Sequence, residues 1–320
     1  MSAGEHKPFI FVGTESDGLL RSAPGQATYQ QLTNGLPEEP QVRALAAHPN
    51  NASRIYAGTQ DGVYRSDDHG ERWDRMDFPQ QRVVWSLLFH PTNPSVMYAG
   101  TIYNEVYRSD DGGDTWQHIS TINSPDICDI GFAPRILGLT ATADKPSEIY
   151  AAMEIGGAAY SLDAGASWTI TNRDLAPMED RLDLHGVAAS SGRVFISNRE
   201  GVWRSSDRGD HWENLTLQRF SPIFYSRGVQ VDPNQGQTVY ACVGSDFRGD
   251  KGGILRSPDL GDTWERFDHG HSVDSTTFGL SVERGDPLAL DDEVSVGYEP
   301  PLAAVKTLAA TDNGCHLSPS

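Results

Sequence analysis

The pattern S-x-D-x-G-x-x-W occurs five times in this chain, and no other feature of the sequence constrains the fold as strongly. The copies begin at Ser66, Ser109, Ser161, Ser205 and Ser257 and end at Trp73, Trp116, Trp168, Trp212 and Trp264. They recur every 43 to 52 residues, and a degenerate sixth begins at Ser22. Self-similarity at such a period marks one supersecondary unit used repeatedly. Each copy sits in a fixed context, for example residues 42–47, then 54–58, then 63–66, then Trp73. Four short β-rich stretches punctuated by Asn, Asp, Gly and Pro predict a four-stranded antiparallel unit, with strands A to D and the repeated motif as the C-to-D turn. In that turn the aspartate can accept backbone N–H bonds, the glycine can take positive φ, and the tryptophan can bury its ring between units.

These motifs resemble the Asp-box, or BNR, repeat family, which includes sialidases, sortilin-type receptors, xyloglucanases and photosystem II assembly factor-like proteins. The resemblance covers roughly residues 8 to 284 and implies an all-β fold, a seven-bladed β-propeller of four-stranded antiparallel blades. One domain spans 1–320, with a divergent last blade at about 276–302. The N-terminus starts at a B strand, Phe9 to Gly13, so something else must supply the innermost strand of the first blade. Val305 to Ala310 matches the A-strand segment Val42 to Ala47, which predicts a closing strand at about 303–311 joining the N-terminal blade. An alternative alignment sets Leu308 to Ser318 against Tyr56 to Ser66 as a B and C pair.

A formal charge of −19 with no basic stripe argues against nucleic acid as a partner. No apolar run approaches the roughly 18 to 20 residues of a membrane span, and Met1 to Pro8 has no signal-type segment, so the expectation is a cytoplasmic protein with no membrane partner. Cys128, Cys242 and Cys315 form no CxxC pair, which points to reduced thiols. No cofactor fingerprint, P-loop or nucleophile elbow occurs. His48 and His90 precede proline in equivalent A-to-B turns, and His69 and His211 lie inside the repeated motif, leaving His185 without a histidine partner; no metal site is expected.

In propellers of this type, ligands use the face where the D-to-A and B-to-C loops gather around the central channel. Aligning the A strands puts Arg43, Trp85, Cys128, His185, Arg227, Phe278 and Lys306 at one equivalent position, a candidate ring at the channel mouth. Clustered cations in an acidic protein suit a carboxylate or sugar acid, with arginine giving bidentate hydrogen bonds. The alternative is that Arg43 and Arg227 pair with Asp129 or Asp183 and only seal the channel. The B-to-C loops bring Tyr103, Glu154 and Arg199 to the same face. Glu154 beside His185 would form an acid and base pair if burial drove their pKa values apart. The loop from Gly244 to Gly253 is a charged, glycine-rich insertion placed to cover this mouth.

The leading functional reading is a propeller that binds a small anionic molecule or a protein segment at the channel mouth, through Arg43, Trp85, Tyr103, Asp129, Arg199, Arg227, Phe278 and Lys306. The alternatives are a glycoside hydrolase-like or lyase enzyme using Glu154 and His185, and an assembly scaffold similar to photosystem II assembly factors. Sialidase activity is not expected. The family's enzymes carry an Arg-Ile-Pro motif near the N-terminus, and the nearest match, Pro134-Arg135-Ile136-Leu137, lacks the proline and lies mid-chain.

Overall fold

The computed structural model describes residues 9–14, 16–26, 28–127, 131–176, 179–247, 249–267 and 276–277, and the backbone of 306–310. Its strands form six four-stranded antiparallel sheets. Blade 1 holds β1 (Phe9–Gly13), β2 (Leu19–Ser22) and β3 (Gln30–Leu32), and blade 2 holds β4 (Ala44–His48), β5 (Asn51–Thr59), β6 (Gly62–Ser66) and β7 (Asp74–Arg75). Blade 3 holds β8 (Val84–Phe89), β9 (Met97–Thr101), β10 (Glu105–Ser109) and β11 (Gln117–Thr121). Blade 4 holds β12 (Arg135–Thr142), β13 (Lys145–Glu154), β14 (Gly157–Ser161) and β15 (Thr169–Ile170). Blade 5 holds β16 (Gly186–Ser190), β17 (Arg193–Asn198), β18 (Gly201–Ser205) and β19 (Glu213–Asn214), and blade 6 holds β20 (Tyr225–Val231), β21 (Val239–Gly244), β22 (Gly252–Ser257) and β23 (Glu265–Arg266). The fourth strand of blade 1 is β24 (Lys306–Ala310), antiparallel to β1 with Lys306 opposite Gly13 and Ala310 opposite Phe9.

The expected count of seven blades is corrected to six among the described residues. The chain lacks a sixth full S-x-D-x-G-x-x-W turn beyond Trp264, so no motif there knits a third strand to a fourth. Apart from Thr276 and Thr277, the expected last blade at 276–302 lies outside the described residues, as does the chain's course from blade 6 to β24, so closure of a ring is not shown.

The repeated turns are hydrogen-bonded alike. Ser66 Oγ donates to Asp68 Oδ1 at 2.7 Å and accepts from Gly70 N at 2.7 Å, while Asp68 Oδ1 accepts from Arg72 N at 3.0 Å. The corresponding bonds recur around Ser109, Ser161, Ser205 and Ser257. Four of the five tryptophans are at most 7% exposed, and Trp168 is half-buried. Their indole N–H groups stay satisfied, Trp73 and Trp116 donating to Gly70 O and Gly113 O at 3.1 and 3.0 Å.

The core is a series of seams between neighbouring blades rather than one central mass. Successive residues of a strand point to opposite faces, so Ile55 packs with Phe11 and Leu19 toward blade 1 while Tyr56 packs with Val84 and Met97 toward blade 3. Further seams join blades 3 and 4, 4 and 5, and 5 and 6. Burial on both faces explains why the middle strands read as continuous apolar runs. The first strands of successive blades lie side by side, from β24 past β4, β8, β12 and β16 to β20. Their N-terminal ends and the B-to-C loops share one face, called here the mouth face, because each A strand starts opposite the end of its B strand.

Candidate functional site

One backbone irregularity repeats where the A strands begin. In β8, β12 and β20 the register slips between Val84 and Ser86, Ile136 and Gly138, and Ser226 and Gly228, leaving Trp85, Leu137 and Arg227 as inserted residues. Arg43 and His185 hold the same place, each donating its backbone N–H at 2.9 Å to the B-strand residue opposite its successor, Gly58 and Ser197. A bulge re-aims the side chain it carries. Four of the expected ring positions therefore coincide, while the member from blade 4 is Leu137. The expectation of Cys128 at this position is corrected: 21 residues separate Trp116 from Leu137, against 12 between Trp73 and Trp85. Cys128, Asp129 and Phe278 lie outside the described residues, and for Lys306 only the β24 backbone is described.

The side chains at this end form a connected arc. The guanidinium carbons of Arg43 and Arg135 lie 4.0 and 4.2 Å from the Trp85 ring centroid, within cation–π range. Arg135 ion-pairs with Glu154 and also lies 4.4 Å from the Phe132 ring centroid. Glu154, 5% exposed, is 3.9 Å from Arg227, whose guanidinium carbon lies 5.4 Å from the Phe247 ring centroid. Arg227 also donates to the Tyr225 hydroxyl at 3.4 Å. A backbone bridge joins Glu154 to Asp183 of the next blade, so blades 4, 5 and 6 meet around that carboxylate.

His185 is 3% exposed. Its Nδ1 lies 2.7 Å from the Ser226 carbonyl and its Nε2 3.3 Å from Asp183 Oδ2, so both ring nitrogens face oxygen acceptors. Burial works against a charged Asp183, but the His185 hydrogen bond and the positive charges of Arg227 and Arg135 more than offset it, holding its carboxyl below the usual range. Glu154, Asp183 and His185 present ligand-type atoms within 4.8 Å of one another. The two guanidinium groups beside Glu154 already neutralise the charge that a cation would need there.

Tyr103, 53% exposed, is held beside this arc by its backbone N–H bond to Pro134 O at 2.6 Å, and Arg199 is exposed on the B-to-C turn of blade 5. Arg43 has a partner two residues before it in the chain, donating from Nη2 to Gln41 Oε1 at 2.7 Å. Sequence reasoning missed Arg135, Phe132 and Phe247. A signal for Arg135 existed: the run after it, Ile136 to Thr142, is the apolar A-strand pattern of blade 4.

Residues 18–121 and 61–200 match the model of the Sortilin-Vps10 family, described as sortilin, neurotensin receptor 3. The chain belongs to the Sortilin-Vps10 family. Among relatives of this Sortilin-Vps10 propeller, a xyloglucanase from Paenibacillus sp is 29% identical over 157 aligned positions, covering 42% of this chain and 14% of the enzyme. The GH74 xyloglucanase of Xanthomonas campestris has a similar structure, with a TM-score of 0.66, 17% identity, 94% of this chain covered and 52% of the enzyme. YCF48 bound to D1 peptide gives a TM-score of 0.61 at 15% identity, with 87% of each chain covered. The chain thus spans about half or less of the xyloglucanases it matches, and its likeness to these structures concerns the fold.

Proposed function

We propose that this propeller binds a carboxylate of an acidic protein segment at the mouth face, with Arg43, Arg135 and Arg227 as the charged centre and Trp85, Phe132, Tyr103 and Phe247 as its apolar surround. The observation that carries this reading is the arc itself: three guanidinium groups gathered on the Trp85 ring and around Glu154 at one end of the blades, in a chain of formal charge −19. Guanidinium groups held over rings are pre-organised for bidentate carboxylate recognition. Exposed Tyr103, Phe132 and Phe247, at 53%, 49% and 46%, offer surface for apolar residues beside the acid. That YCF48, a propeller of similar fold, has been seen with a peptide supports the segment over a free small anion. In the same reading the repeated turns are Asp-boxes with a structural role.

An enzyme using Glu154 and His185 is the second reading, favoured by their burial and proximity. It is the weaker one, because Glu154 is tied to Arg135 and both nitrogens of His185 face acceptors. Calorimetric titration of peptides carrying Asp or Glu next to Leu or Phe, against their Asn or Gln counterparts, tests the proposal at two ionic strengths. Binding by the acidic set alone, weaker at high salt and weaker still in Arg227→Ala, is expected. Equal binding of both sets, or none by either, would overturn it.

A further inference from the structure

On the opposite face, at the seam between blades 4 and 5, the regular packing breaks and leaves a cavity of about 250 Å³. At earlier seams an aromatic residue of the B strand lies against the turn glycine of the next blade: a Cβ built on Gly70 would meet the Phe11 ring at 2.8 Å, and one on Gly113 the Tyr56 ring at 2.8 Å. Tyr56 also donates its hydroxyl to Gly112 O at 2.6 Å, stitching that seam shut. Tyr150 is the equivalent residue of blade 4, as the pairing of Tyr56 with Arg65 and of Tyr150 with Tyr160 shows. Its hydroxyl donates instead to Glu148, and the atoms nearest Gly209 belong to Thr171 and Trp212.

Two residue choices at this seam account for the change. Arg208 stands where the turn of blade 3 has Gly112, and Glu148 stands two residues before Tyr150, where Arg54 and Val96 stand two before Tyr56 and Tyr98. Glu148 is 8% exposed and accepts from Arg208 Nε at 2.9 Å, with Lys145 Nζ at 3.8 Å. Its charge is met within the wall. Asp207 is likewise occupied, accepting from Ser205, the His211 backbone and the His211 ring. Arg193 also lines the cavity and is partly buried, and among the described residues no carboxylate pairs with it. A partly desolvated guanidinium with Lys145 in the same lining, where Glu148 and Asp207 are engaged and the remaining carboxylate, Asp144, is exposed to solvent, suits an anion. The hydroxyls of Thr142, Ser190 and Ser206 in the same lining suit a ligand that carries hydroxyl groups.

We propose that this seam is a second binding site, for a monosaccharide-sized hydroxylated carboxylate whose carboxylate meets Arg193 and Lys145. It is independent of the mouth, and the test separates the two. Glucuronate, gluconate and neutral glucose are titrated calorimetrically into wild type, Arg193→Ala, Lys145→Ala and Arg227→Ala, each checked for an unchanged melting temperature. Binding of a sugar acid but not glucose, weakened at least tenfold in Arg193→Ala and measurably in Lys145→Ala yet unchanged in Arg227→Ala, is expected. Absence of binding by both acids, or loss in Arg227→Ala with Arg193→Ala and Lys145→Ala unaffected, would overturn it. Lys145 is exposed, so its variant reads the site even if Arg193→Ala disturbs folding.

Discussion

Arg135 lies over the Trp85 ring, 4.2 Å from its centroid, and thereby couples the innermost strand of blade 4 to that of blade 3. Arg43 approaches the same ring from blade 2. Trp85→Ala removes the surface that orients two of the three cations, so binding of acidic peptides should fall at least tenfold, or about 1.4 kcal/mol. Trp85→Phe should retain most of it. Titration of both variants checks this, and an alanine variant that binds like wild type would detach Trp85 from the site.

Trp116 is 6% exposed and packs edge-on to Phe78, with ring centroids 5.5 Å apart. Its replacement by alanine should cost about 3 to 5 kcal/mol, the usual range for deleting a buried aromatic side chain. Urea unfolding followed by fluorescence and circular dichroism measures the loss. A midpoint near that of wild type would mean that the blade 2 and 3 seam draws little from this ring.

Acid should weaken the turns through a nameable group. Asp163 accepts from Ser167 side chain and backbone and from Ser161, and these bonds lower its carboxyl to about 2. A depressed folded value means that the stabilisation is full above the unfolded value of about 3.9 and is lost as pH falls toward about 2. The group is exposed to solvent, so screening keeps the contribution small. Urea midpoints of wild type should drop more steeply between about pH 4 and 2 than those of Asp163→Asn. Parallel curves would assign the acid sensitivity elsewhere.

Gly100 marks how closely blades 3 and 4 approach near the mouth. A Cβ there would lie 2.4 Å from Ser86 Oγ and 2.7 Å from Ile136 Cγ2. Gly100→Ala should therefore destabilise by about 1 to 3 kcal/mol, as overpacking does. Because Ile136 directly follows Arg135, peptide binding should weaken as well. Thermal melts and titration of one variant test both, and a neutral result in the melt would show that the seam yields.

The five S-x-D-x-G-x-x-W copies determined the blade by local means: a serine hydroxyl, a carboxylate and a glycine that satisfy one another within eight residues need no tertiary information. For the same reason the places of Arg43, Trp85, His185 and Arg227 were legible, since a repeat carries equivalent residues to equivalent positions. What the repeat does not encode had to wait for the fold. The number of blades depends on a stretch without the motif, and the blade 4 ring position falls on Leu137 rather than Cys128 because its distance from the repeat tryptophan, 21 residues, exceeds the 12 of blade 3. The partners of Glu154 come from residues 135, 183 and 227, on three different blades, and nothing in the local sequence says that strands so far apart will meet at one carboxylate. The open seam at Glu148 and Arg208 is of the same kind, since each residue is unremarkable alone and only their contact across 60 positions turns Tyr150 away from its neighbour.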